Sequence, residues 1–167
     1  MMDKIKELLQ LLLADFELED DDEQEEMLIN LGGFLNDQKA YLIENDAEWV
    51  LEADPGHTLQ FAIANEISEF LIIGDKIDEI HELIVEEFEG DFPEYPYEKK
   101  FNATEYIEWF TEELATNYPT LELIEFGDSL SDSIQLILVL KDDVDRIEEL
   151  CNELNIRFNK AANILKF

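Results

Sequence analysis

The chain has 167 residues, 46% of them hydrophobic and 11% aromatic, which is enough apolar material for a packed core and excludes disorder as the meaning of its charge. It carries 43 Asp and Glu against 11 Lys and Arg, a formal net charge of −32. That surplus repels nucleic acid and anionic membranes, so it argues against both as direct partners and favours a cationic one. Self-repulsion on this scale opposes the compact state. The melting temperature is therefore expected to rise with salt, and a value unchanged between low and moderate salt would count against this. Cys151 is the only cysteine, so no internal disulfide can form, as suits a reducing compartment.

In chain order, Ile5, Leu8, Leu9, Leu12, Leu13 and Phe16 recur at helical spacing and predict a helix over about residues 3 to 16. Lys6, Glu7 and Gln10 interrupt its apolar stretch and no small-residue cleavage site follows. The segment reads as an amphipathic helix, not a signal peptide or a membrane span, and a cytoplasmic location is expected. The acidic run Glu17 to Glu26 predicts an exposed connector whose second half opens the next helix, since acids suit a helix N-terminus. That helix carries Met27, Leu28, Leu31 and Leu35, with Gly32-Gly33 as a weak point. Residues 38 to 53 are ambiguous, and Asp54-Pro55-Gly56 is a turn.

Leu59, Ala62, Ile63 and Ile67 predict a helix over about residues 57 to 68. Phe70-Leu71-Ile72-Ile73 reads as a buried strand closed by Gly74, followed by a helix capped by Asp75 with Ile77, Ile80, Ile84 and Phe88 on one stripe. Residues 90 to 101 form a long loop, because two prolines forbid regular helix. A helix is expected over about residues 103 to 117. Two strands follow, Leu121 to Phe126 and Ile134 to Leu140, joined by the turn GDSLSDS. The second is apolar on both faces apart from Gln135, so it should be a central strand covered on both sides. Asp142 or Asp143 then caps a last helix, and Ile156 to Phe158 and Ile164 to Phe167 can each add a short strand. The predicted architecture is α+β: N-terminal helices followed by a small mixed β-sheet of about 3–5 strands covered by helices. The expected organisation is a single domain over residues 1–167, in which residues 1–53 form a mainly helical N-terminal lobe.

The run LELIEFGDSLSDSIQLILVLKDDVDRIEELCNELNI resembles the closing unit of a bacterial family of unknown function, in which a strand, a Gly/Asp/Ser turn ending in "SDS", an apolar strand and a helix follow in order. The earlier stretch DPGHTLQFAIANEISEFLIIGDK is similar to that family's helix-to-strand step, although Gly74-Asp75-Lys76 lacks the Trp often found there. The resemblance spans roughly residues 54–158. It implies an α+β fold and no established activity.

Catalytic and metal signatures fail on spacing. His81-Glu82 begins like a zincin helix, but Val85 stands where the second His is needed; His57 follows a turn. The acidic run lacks the glycine of a calcium loop, and the Asp128–Asp132 turn reads as a hairpin bonding its own amides. Cys151 lies on an apolar stripe, no serine sits in a nucleophile elbow, and no phosphate-binding glycine pattern occurs. A carboxylate pair for glycoside hydrolysis would need a cleft and a raised pKa on one member. No catalytic residue, cofactor or metal ligand is assigned.

Surfaces remain. One candidate set is Asp20, Asp21 and Asp22 within the acidic run. The other is Glu86, Glu87, Glu89, Asp91 and Glu94 beside Phe92, Tyr95 and Tyr97, where charge can steer encounter and aromatic rings can anchor it. The reading that follows is a non-enzymatic acidic binding protein, an immunity protein or antitoxin that neutralises a basic protein such as a nuclease toxin. The alternatives are a nucleic-acid mimic, an enzyme or cation binder of unrecognised type, and an acidic cytosolic domain without a basic partner. The oligomeric state is not set by the sequence.

Overall fold

The computed structural model describes residues 1–16, 18, 22–160, 163 and 164. Asp20, Asp21 and most of the strand expected at Ile164 to Phe167 lie outside these; Ile164 itself sits buried in a turn.

Helix α1 spans Met2–Leu12 and buries Ile5, Leu8, Leu9 and Leu12. It stops short of the predicted end, but Phe16 still turns inward and packs its ring 5.0 Å from that of Phe70. Helix α2 runs Asp22–Asn36, with Asp22, Glu23 and Glu25 in its first turn where the helix dipole favours them. Gly32-Gly33 does not break it. Its buried stripe is Met27, Leu31 and Phe34; Leu35, expected to face inward, is 40% exposed because Phe34 completes the i, i+4, i+7 row instead. The ambiguous segment resolves into α3 (Gln38–Glu44) and the single turn α4 (Val50–Ala53). Asp37 starts α3 by accepting the Ala40 amide at 3.0 Å. Helix α5 is Thr58–Glu66.

Strand β1 is only Ile72–Gly74, because Ser68–Phe70 coils into a 3-10 turn. A Cβ on Gly74 would lie 2.9 Å from the Ile80 side chain, so glycine lets the strand meet the helix that follows. That helix, α6, covers Ile77–Glu87; Lys76 and not Asp75 occupies its N-cap position, with no side-chain cap bond. Helix α7 (Ala103–Asn117) opens with a reciprocal cap: Asn102 accepts the Glu105 amide and Glu105 accepts that of Asn102, each at 2.9 Å. Strands β2 (Leu121–Phe126) and β3 (Ile134–Leu140) follow the sequence reading to the residue. Between them Asp128 accepts the Leu130 amide at 2.8 Å, and Ser129 and Ser131 accept the amides two residues on. The turn is thus closed by its own side chains. Helix α8 is Val144–Glu153 and β4 is Phe158–Lys160, two residues later than the strand expected at Ile156 to Phe158.

The sheet order is β1-β3-β2-β4 and every neighbouring pair is antiparallel. This corrects the expected mixed sheet: β2 and β3 are joined by the hairpin loop 127–133, and among the described residues no crossover places two strands in parallel. The fold class is α+β, with helices at the N-terminal end and against the sheet.

Alternation along β2 and β3 divides the interior in two. Ile124, Phe126, Ile137 and Val139 face a core built with α1, α2, α3, α5 and α8. Leu121, Leu123, Leu136 and Leu138 face a second core built with α6, α7 and the segment between them. Residues of the first 53 therefore share their core with the sheet and α8. Cys151 lies in that core, and burial pushes its thiol up to about 12, so it stays protonated and inert at neutral pH.

Candidate partner-binding site

The second core positions the candidate site. On α6, Ile77, Ile80 and Ile84 turn inward and His81 joins them, only 1% exposed. The helix ends where Glu89 and Gly90 adopt left-handed backbone and the Gly90 amide bonds back to the Val85 carbonyl at 2.9 Å. Phe92 then enters the core, its ring 5.2 Å from both Phe88 and Phe110.

His81 anchors the loop that follows. Its Nε2 lies 2.7 Å from the Pro93 carbonyl, and its Nδ1 lies 2.9 Å from the Tyr106 hydroxyl. A carbonyl can only accept, so Nε2 carries the proton and Nδ1 accepts from Tyr106. The rings of Phe92, Tyr95, Tyr106, Trp109 and Phe110 surround the imidazole. Burial lowers its pKa, against the bond to Pro93 and the charge of Glu82. Burial in turn raises the Tyr106 phenol far above its ordinary value and keeps it a donor. With both ring nitrogens engaged this way, His81 serves the fold.

Outward from His81 lies a groove of about 440 Å³ between α6 and the loop, lined by Glu82, Val85, Glu86, Glu94, Tyr95 and Tyr97 with His81 as its floor. Tyr97 is 61% exposed and donates its hydroxyl to Glu82 at 2.9 Å. Tyr95 is half-buried, its ring 5.0 Å from that of Tyr97. Four of the predicted residues therefore meet here: Glu86, Glu94, Tyr95 and Tyr97. Glu82 and Val85 were missed by the sequence reading, although their spacing from Glu86 on α6 places all three near one helix face.

The other predicted residues separate. Phe92 is only 4% exposed, so its ring serves the core and is not a surface anchor, a correction to the sequence reading. Glu87 and Glu89 line a different cleft, of about 470 Å³, with Asp15, Phe16, Phe88 and Tyr118. Burial raises the pKa of both Asp15 and Glu87 there. Asp91 is exposed, and its carbonyl accepts the Tyr118 hydroxyl at 3.1 Å. Asp22 opens α2, whose core lies on the opposite face of the sheet from α6. The two acidic sets thus do not form one surface as far as the described residues reach; Asp20 and Asp21 lie outside these.

Charge is distributed unevenly along the chain. Over residues 77–118, which build the groove side, acids outnumber Lys and Arg by 13 to 2. On the other side, cations of α1, α8 and β4 pair with acids. Lys4 meets Glu153 at 2.8 Å, Arg146 meets Glu7 at 2.7 Å, and Lys160 meets Asp145 at 2.9 Å. Arg157 bridges the buried Glu125 at 3.2 Å and Asp128 at 3.0 Å. A further cleft of about 570 Å³ opens between α2, α3 and α5, and the sequence reading did not find it. Among the described residues, no helix is long and apolar enough to cross a membrane. No family model, curated protein or solved structure matches the chain.

Proposed function

We propose that this chain is a non-enzymatic acidic binding protein that neutralises a basic protein, such as a nuclease toxin, by covering its active site. One observation carries the reading: the groove on α6 sets the carboxylates of Glu82, Glu86 and Glu94 around Tyr95 and the exposed Tyr97. Carboxylates steer a cationic partner and raise the rate of encounter, while a tyrosine beside them supplies apolar area and a hydroxyl at small entropic cost. The partner's phosphate-binding cations would meet these carboxylates, and the body of the protein would block access. A cytoplasmic location is part of this proposal.

The test is affinity capture from the native host, elution at high salt and mass spectrometry, followed by binding measurements with variants. A protein of high pI is expected. Tyr97→Ala should weaken its binding by roughly 30-fold, as for a central aromatic anchor. Glu86→Lys with Glu94→Lys should slow association at low salt. Recovery of no basic protein, or binding indifferent to all these changes, would reject the reading.

A second reading has its own observation. Asp15 and Glu87 share a cleft, and Glu87, whose pKa desolvation and the charge of Glu86 raise, would be the acid of a carboxylate pair. Turnover of chromogenic glycosides that disappears in Glu87→Gln would favour an enzyme; no turnover by the wild type would remove this reading.

A further inference from the structure

The sheet ends on one side at β1, whose one strand neighbour among the described residues is β3. Ile72, Ile73 and Gly74 pair with Leu136, Gln135 and Ile134. In an antiparallel ladder alternate residues turn N–H and C=O away from the partner strand, so β1 presents backbone donors and acceptors along its outer side. Among the described residues, no further backbone bond reaches them. Ile73, the middle residue, also keeps its side chain exposed. We propose that this edge accepts an extended segment of a cationic protein as a fifth, antiparallel strand.

The two outer strands of the sheet differ. Sheet edges are commonly guarded against pairing by lysine, proline or a bulge. Strand β4 carries such a lysine, Lys160, held by Asp145 at 2.9 Å and Glu148 at 3.0 Å. Strand β1 is Ile-Ile-Gly, with no charged residue and no proline, and its guard is its length. Three residues offer few backbone bonds, so an added strand must gain from side chains as well.

Side chains around β1 specify the occupant. Ile73 supplies apolar contact. Asp75 follows two residues later, exposed and making no capping bond to α6. Glu69, Asp78 and Glu79 flank the same short stretch, and its one cation, Lys76, is tied to Glu79 at 2.9 Å. An antiparallel segment that reads cation, any residue, apolar residue would set the apolar side chain opposite Ile73 and the cation opposite Asp75. A second copy of this chain would instead bring its own Glu69 and Asp75, and a further net charge of −32, to the same edge. Charge therefore selects a basic segment over self-pairing. The proposal shares only the partner's positive charge with the reading of the α6 groove.

The test follows backbone amides of the full chain by NMR during titration with the probe acetyl-Arg-Thr-Val-Thr-Arg-amide. Saturable shifts and slowed hydrogen exchange are expected at Ile72, Ile73, Gly74 and Asp75. The same peptide N-methylated at its first Thr and at Val loses backbone donors and should bind about tenfold more weakly. So should acetyl-Glu-Thr-Val-Thr-Glu-amide. Ile73→Lys should weaken the basic probe about tenfold, and Asp75→Asn, an exposed change that leaves the strand intact, about threefold. Tyr97→Ala should leave the titration unchanged, which separates this edge from the α6 groove. No saturable shift, shifts centred away from β1, equal binding of either control peptide, or loss of binding in Tyr97→Ala would overturn the proposal. So would shifts at these amides that follow protein concentration without peptide, which would make a second copy the occupant.

Discussion

Truncating Ile137 to alanine should destabilise the protein by about 2–5 kcal/mol, and truncating its neighbour Leu138 should do the same. The two side chains point to opposite faces of β3. Ile137 is fully buried against the α1 and α8 side, and Leu138 is 3% exposed against the α6 and α7 side. Each truncation removes apolar contact and leaves a cavity in a different core. A strand with one solvated face would give one large loss and one small one. Urea denaturation of the two variants measures this directly, and a cost below about 1 kcal/mol for either, the ordinary range of a surface change, would mean that its face is not closed.

Replacing His81 with alanine should cost about 2–4 kcal/mol, since it opens a space among five aromatic rings and leaves the Tyr106 hydroxyl and the Pro93 carbonyl unpaired. The same residue predicts a pH dependence. Burial holds the folded-state pKa of His81 below its ordinary value of 6.5, where the unfolded chain titrates. Below pH 6.5 the unfolded state therefore binds more protons at this site, so this contribution to stability is whole above 6.5 and is lost as the pH falls toward the folded value. Asp15 and Glu87 act in the opposite sense, because their raised pKa values make the folded state the better proton acceptor as the pH falls. His81→Gln removes only the first effect, and glutamine can still donate to Pro93 and accept from Tyr106. Wild type should lose more stability than His81→Gln between pH 7 and pH 5; parallel curves would show that the imidazole titrates alike in the folded and unfolded chain. Protonation would add a hydrogen at Nδ1 and remove the acceptor of the Tyr106 hydroxyl, while Nε2 would still donate to Pro93.

Elements with strong local signals were legible in advance. The hairpin strands were, because IQLILVL has no polar face and GDSLSDS can close its own turn. Helix α7 was, because Pro119 ends a clear stripe of Tyr106, Ile107, Phe110 and Leu114; its cap at Asn102 was not read in advance. Weak signals failed where tertiary contacts competed. Phe34 displaced Leu35 from the core, Asp75 lost the cap position to Lys76, and β1 gave up Phe70 and Leu71. Of the candidate site, α6 and its loop were found as a charged and aromatic stretch, but the role of each ring was not. Phe92 and Tyr97 are five residues apart and differ only in which way the loop turns them.

Composition and local spacing established a strongly anionic surface around an ordinary apolar interior, the lack of any internal disulfide, and the helices and strands whose periodicity is unambiguous. Those properties depend on residue counts and on neighbours a few positions away. Tertiary structure decided that the described strands pair antiparallel throughout, that His81 is buried among five aromatic rings, and that Glu87 and Glu89 part from Glu86 and Glu94 into a different cleft. It also brought Asn30, Tyr41, Glu44 and Glu66 to one cleft from three separate helices. Such groupings arise from packing between segments tens of residues apart, and no local pattern of charge or hydrophobicity encodes which of them will meet.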